Sequence, residues 1–136
     1  MTQSTQRVYI PGACNIGQAE RRRRLAVGGL GLIGGGVLWA VFVVFETAAG
    51  WRLLVFVPAA LAAAGFLQSY WSFCAGYGLS GVFNVGPDFG KTESVEQAEF
   101  RRKDRRTALL IIGVSLLVGA VVAAAAYFTA PEAASG

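Results

Sequence analysis

Three stretches of this chain, residues 25–45, 53–73 and 107–130, contain no Asp, Glu, Lys, Arg or His. An α-helix needs about 20 apolar residues to cross about 30 Å of hydrocarbon, and each stretch reaches that length. A helix on the surface of a soluble bundle carries polar residues every three or four positions, whereas residues 25–45 carry none. That first stretch is also too long for an export signal, whose apolar region runs to roughly 7–15 residues. The sequence therefore predicts an all-α integral membrane protein with three transmembrane helices.

The charges give the expected orientation. Of the twelve Lys and Arg residues, only Arg52 lies in the connector between the first two spans. The others, Arg7, Arg21, Arg22, Arg23, Arg24, Lys91, Arg101, Arg102, Lys103, Arg105 and Arg106, precede span one or separate spans two and three. Basic residues next to spans stay in the cytoplasm. This predicts a cytoplasmic N-terminus, a hairpin of spans one and two, and an extracytoplasmic C-terminus, in the cytoplasmic membrane of a prokaryote. Trp51, Tyr127 and Phe128 at one set of span ends, and Tyr70, Trp71 and Tyr77 at the other, match the preference of amphipathic rings for the interface. The expected organisation is a cytoplasmic segment (1–13), a transmembrane hairpin (14–82), a cytoplasmic loop with a basic helix (83–106), a third span (107–130) and an outer tail (131–136).

Four successive helical residues point about 100° apart, so Arg21, Arg22, Arg23 and Arg24 leave that turn no face for hydrocarbon. They are expected to contact anionic headgroups, as are Arg101, Arg102, Lys103, Arg105 and Arg106. Asn15 is expected to cap the first helix, and Glu20 to pair with Arg23 or Arg24. The pattern repeats: Gln18 to Ala26, QAERRRRLA, is echoed by QAEFRRKDRRTALL from Gln97, and CNIG by FNVG from Phe83. Ser94 and Gln97 suggest a capping box. Both basic segments are read as short interfacial helices running into spans one and three, with a Gly/Pro-punctuated loop between them.

Small residues are expected to set the packing. Span one contains Gly28, Gly29, Gly31, Gly34, Gly35 and Gly36; Gly31 and Gly35, Ala60 and Ala64, and Ser115 and Gly119 have the spacing that lets helix backbones approach. Glycine on nearly every side of one helix predicts more than one close neighbour. Pro58 predicts a kink in span two. The absence of ionisable groups within the spans argues against an ion-coupled transporter acting alone.

Cys14 precedes the first span and Cys74 ends the second, so the hairpin brings them to one interface. Facing helices sit about 8–10 Å apart, and a disulfide needs Cα atoms within about 6.8 Å. Pairing is allowed but not required. A reducing compartment keeps thiols free, and nearby arginines raise their reactivity. Around these residues the chain resembles the YgaP-like small transmembrane domains, found alone or fused to rhodanese modules. The opening motif matches at Asn15, Ile16, Gly17, Glu20, Arg21 and Arg24, and the closing one at Cys74, Tyr77 and Gly81. The resemblance covers about residues 11–82. It implies a two-helix hairpin that tends to dimerise and a link to sulfur or thiol handling. The chain has Ala75 where the family has proline, carries no rhodanese module, and adds a third span. The sulfurtransferase thiol of the fused proteins lies in the rhodanese part, so that chemistry does not carry over.

With no histidine in the chain, histidine acid–base catalysis and histidine metal or haem ligation are excluded. The glycines lie inside a span rather than between a strand and a helix, so they form no phosphate loop. A sequence pI near 9.5 is better explained by anionic lipid than by nucleic acid. No cofactor and no enzymatic activity are implied. The expected role is an accessory or structural subunit of a larger membrane complex, such as an energy-transducing one, or a homo-oligomer, packed through glycine faces. The alternative is a cytoplasm-facing thiol module that relays sulfur or senses redox state through Cys14 and Cys74. A helper role in solute transport rests on family context alone.

Overall fold

The apolar stretches are helical over most of their length, the first to Val44 and the second to Trp71. The computed structural model describes residues 8–86 and 91–129; Arg7, residues 87–90, Ala130 and the tail 131–136 lie outside the described residues. Helix α1 (Gln18–Val44) contains the four arginines and the first apolar stretch without a break. Three helical segments are long and apolar enough to cross a membrane: Gln18–Val44, Ala49–Trp71 and Ala98–Phe128.

Span two is composite. It begins with α2 (Ala49–Arg52), passes through a 3₁₀ turn at Leu53–Val55, and continues as α3 (Phe56–Trp71). Pro58 has no N–H for the carbonyl four residues earlier. The irregularity expected at Pro58 thus takes the form of a tightened turn just ahead of it. After α3 come α4 (Ala75–Ser80) and a two-residue antiparallel ladder, β1 (Val82–Phe83) with β2 (Glu93–Ser94). Helix α5 (Ala98–Thr129) joins the second basic segment to the third span in one rod. Both basic segments are therefore the first turns of spanning helices rather than separate short ones.

Two expected caps are not formed. The residue at the α1 N-cap is Gly17, two positions after Asn15, whose side chain is used elsewhere. Ser94 pairs with Val82 in the ladder, which takes it away from the start of α5 and rules out the capping box.

Helix α3 lies between α1 and α5 and packs against both. Lipid tails are as apolar as leucine, so helices associate in a membrane through close packing and polar contacts. Gly65 on α3 lies against the Gly28 backbone and the Arg24 carbonyl so closely that no side chain fits between them. One turn deeper, a Cβ on Gly31 would lie 2.8 Å from the Ala62 nitrogen and 2.9 Å from the Pro58 carbonyl. Gly35 is in ordinary contact with the Pro58 ring, and Gly119 on α5 faces Ala60 and Phe56. Gly28 and Ser115 are buried, and Ala64 is half-buried. Gly28, Gly31, Gly35, Ala60 and Gly119 thus lie at the two crossings. Gly65, the partner that closes the first, was not expected, although it is the only glycine in its apolar stretch.

Apolar clusters form at both ends: Phe42, Val55 and Ala126 at one, Phe73, Ala75, Ala108 and Ile111 at the other. Arg52 is 2 % exposed. Its Nε and Nη2 donate to the carbonyls of Ala126 and Tyr127, and its Nη1 to that of Thr47. The last carbonyls of a helix lack intrahelical partners and carry the negative end of its dipole. The lone arginine of the connector therefore caps α5, which fixes the far ends of α1, α3 and α5 at one pole.

Candidate functional site

The opposite pole is where the chain concentrates its polar chemistry. Helix α3 ends at Ser72, a left-handed residue at φ 56°. Its carbonyl turns outward and accepts from the backbone N–H groups of Asn15 and Ile16, at 3.0 and 3.3 Å. On its other side the same segment meets Asn84: the Asn84 N–H donates to the Asn15 carbonyl and the Gly17 N–H to the Asn84 carbonyl. The CNIG and FNVG echoes are therefore neighbours, joined in a parallel bridge at Ile16 and Asn84.

The side chain of Asn15 is fully buried. It holds the backbone of Cys74 from both sides: its Oδ1 accepts from the Cys74 N–H at 2.6 Å and its Nδ2 donates to the Cys74 carbonyl at 3.1 Å. Cys74 is the N-cap residue of α4, and the next N–H, that of Ala75, donates to Gln68 Oε1 at 2.9 Å. A proline at this position would suit the first turn of a helix but has no such donor. Ala75 makes a hydrogen bond that proline cannot.

The sulfur of Cys74 faces Arg24, whose Nη2 lies 2.8 Å from Sγ. The Nη1 of Arg24 lies 3.4 Å from Glu20 Oε1, as expected for residues one turn apart. Glu20 is 1 % exposed, and its other oxygen accepts from the Tyr77 hydroxyl at 2.6 Å and from Asn84 Nδ2 at 3.0 Å. Burial, then the bond to Glu20, pushes the Tyr77 hydroxyl up to about 12. The Arg24 guanidinium carbon also sits 5.9 Å from the centre of the Tyr77 ring. Asn15, Glu20, Arg24, Cys74 and Tyr77 thus meet in one buried cluster, and Asn84 completes it.

Cys14 is buried as well, at 7 % exposure, but its Sγ donates to the Ile16 carbonyl at 3.7 Å. Both cysteines are free, and each has its own partner. The Cys74 thiol is held against a guanidinium. The thiolate is the nucleophilic form of cysteine, and Arg24 is the group placed to hold its charge. Among the described residues, no set of three or more Cys, Asp or Glu side chains is placed to hold a metal.

A second polar contact closes this pole. Asp104 is fully buried although it stands among Arg101, Arg102, Lys103, Arg105 and Arg106. It accepts from the Tyr9 hydroxyl and from the Gly12 N–H, each at 2.6 Å, while Thr107 donates to the Gly12 carbonyl at 2.7 Å. Tyr9 stacks on Phe83 at 4.4 Å, and burial with the Asp104 contact raises its hydroxyl pKa. Asp104 is the functional-pole residue that sequence reasoning missed, since its partners lie more than ninety positions away.

The basic residues divide in role. Arg21 Nε donates to the Ser69 carbonyl at 2.7 Å, and Arg22 and Arg23 are exposed. Arg101 donates to the carbonyls of Val95 and Glu96 and, with Arg102 and Arg105, borders a cavity of about 360 Å³ closed by Gly78 and Gly81. Lys103 and Arg106 are exposed. Comparisons with family models, curated proteins and solved structures return no match to this chain.

Proposed function

We propose that this chain is a three-span membrane protein that presents one arginine-held thiol, Cys74, at its basic pole, where it senses or relays oxidising or sulfur-bearing species. The observation that carries this reading is the 2.8 Å contact between Arg24 Nη2 and Cys74 Sγ, with the Cys74 backbone clamped by Asn15. The resemblance to YgaP-like domains agrees with it, because the cluster is built from the motif residues. The role is that of a relay or sensor and does not require turnover. The positive-inside rule places the basic pole in the cytoplasm and the C-terminus outside, in the cytoplasmic membrane of a prokaryote.

The test is the modification rate of Cys74 by a small methanethiosulfonate reagent in native membranes, on a Cys14→Ser background. Arg24→Gln is expected to slow it about tenfold or more, the scale of a lost charge-assisted contact. An unchanged rate in that variant, together with wild-type tolerance of oxidant and sulfur stress by Cys74→Ser, would refute the reading.

One observation favours the accessory-subunit reading beside it. A Cβ on Gly29, Gly34 or Gly36 would meet nothing within 4 Å. Glycine weakens a helix by about 1 kcal/mol relative to alanine, so three open ones suit a helix that meets further neighbours. Recovery in mild detergent at fixed stoichiometry with another subunit, or as a homo-oligomer, supports that role; recovery as a bare monomer removes it.

A further inference from the structure

Two hollows on the surface of the helix trio meet at one residue. The first, about 500 Å³, lies at the basic pole between α1 and α3 and is bordered by Gln18, Arg21, Arg22, Leu25, Ser69 and Tyr70 as well as Phe66. The second, about 600 Å³, is an apolar groove between α1 and α5 with α3 behind it, and Phe66 borders it too. On α1 the two form one stripe. Gln18, Arg21, Arg22 and Leu25 lead at steps of three and four residues towards Leu32, Gly36 and Trp39. The stripe changes from cationic to apolar where a helix leaves the headgroup layer.

The upper hollow has donors to spare. Arg21 is positioned through its Nε bond to the Ser69 carbonyl, and among the described residues its two terminal nitrogens have no hydrogen-bond partner. The guanidinium of Arg22 is exposed and also has none among them. A planar guanidinium binds phosphate oxygens through paired N–H bonds. The lower groove has the length of a lipid chain. Its α3 wall runs from Phe66 to Ala59, about 10 Å at helical rise, and the groove continues to Val55 and Ala126 at the far pole.

We propose that the two hollows form one binding site for an anionic phospholipid, with the phosphate on Arg21 and Arg22, the glycerol region beside Phe66, and an acyl chain in the groove over Gly36 and Ala63. Charge above and an apolar groove below, both bordered by Phe66, select a lipid over a soluble anion, which has no use for the groove. They also select it over a second copy of this helix, whose own basic turn would meet Arg21 and Arg22. The site rests on the chain spanning a membrane and is independent of the chemistry of Cys74.

The test is native mass spectrometry of the full chain released from nanodiscs of phosphatidylcholine containing phosphatidylglycerol. Both leaflets have the same composition there, so the result does not depend on orientation. The expected result is one phosphatidylglycerol retained per chain in preference to phosphatidylcholine. Arg21→Gln with Arg22→Gln is expected to lower retention about thirtyfold, from about fivefold per arginine near a charged lipid surface. Gly36→Leu fills the groove where the protein offers no steric obstacle and is expected to abolish retention, and Ala63→Leu does the same from the facing wall. Gly34→Leu, on the far side of α1, is expected to retain lipid and reports on folding. The proposal is overturned if the arginine variant retains lipid like the parent, if Gly34→Leu loses it as fully as Gly36→Leu, if inorganic phosphate displaces it, or if a second chain occupies the groove.

Discussion

Asp104 shows how much depends on a single side chain. It stands within a basic run and is fully buried, with an aromatic hydroxyl and a backbone amide directed at its two oxygens. Asp104→Asn keeps the shape and removes the charge. The expected cost is about 2 kcal/mol, the scale of hydrogen bonds to a charged group, read as a lower unfolding midpoint in detergent and faster proteolysis near Gly12. Tyr9→Phe is expected to cost about 1 kcal/mol. Tyr77 gives a prediction in pH. Its folded value, about 12, lies above the ordinary 10.0, so its contribution to stability is complete below pH 10.0 and is lost as pH rises through about 12. A pH titration of stability is expected to fall over that window in the parent and to be flatter in Tyr77→Phe. None of these partners was legible locally. Asn15 reads as a helix cap by residue type and position, and only the fold reveals that its amide is committed to a residue 59 positions away.

At the level of elements, the spanning helices were legible because hydrocarbon thickness dictates their length. Their pairing was legible only in part. Small-residue spacing marked Gly31 and Gly119 but passed over Gly65, whose missing side chain lets α1 and α3 touch. Gly65→Leu is expected to separate the hairpin at a cost of about 3 kcal/mol, the upper range for overpacking, seen as lost helix contact in cross-linking between positions 28 and 65. Gly34→Leu, which meets nothing, is expected to leave that cross-link intact. Arg52 was read only for its side of the membrane, yet it serves α5. Arg52→Gln removes a cation and hydrogen bonds from the last turn, and is expected to raise amide exchange around residues 122–127 while leaving residues 108–115 protected.

For the whole molecule, the distribution of charge was the most legible property and the polar cluster the least. Basic residues gather at one pole because of a rule that needs no knowledge of contacts. The convergence of Asn15, Glu20, Arg24, Cys74 and Tyr77 needs the hairpin to be closed before it exists, and the two short motifs around Asn15 and Cys74 were its only linear trace. The proposed orientation predicts that reporter fusions at the N-terminus are active inside the cell and those at the C-terminus outside. The reverse pattern would move the thiol to the opposite compartment.

The loop clipped to Asp104 and Thr107 also bears on how the protein is made. Tyr9 and Gly12 leave the ribosome long before their partners on α5, so the first hairpin can enter the bilayer while this end of the chain still has unmet hydrogen bonds. The last helix therefore acts as a latch on Tyr9 and Gly12. A chain arrested before α5 leaves Tyr9 and Gly12 without these partners, and only a completed molecule holds them.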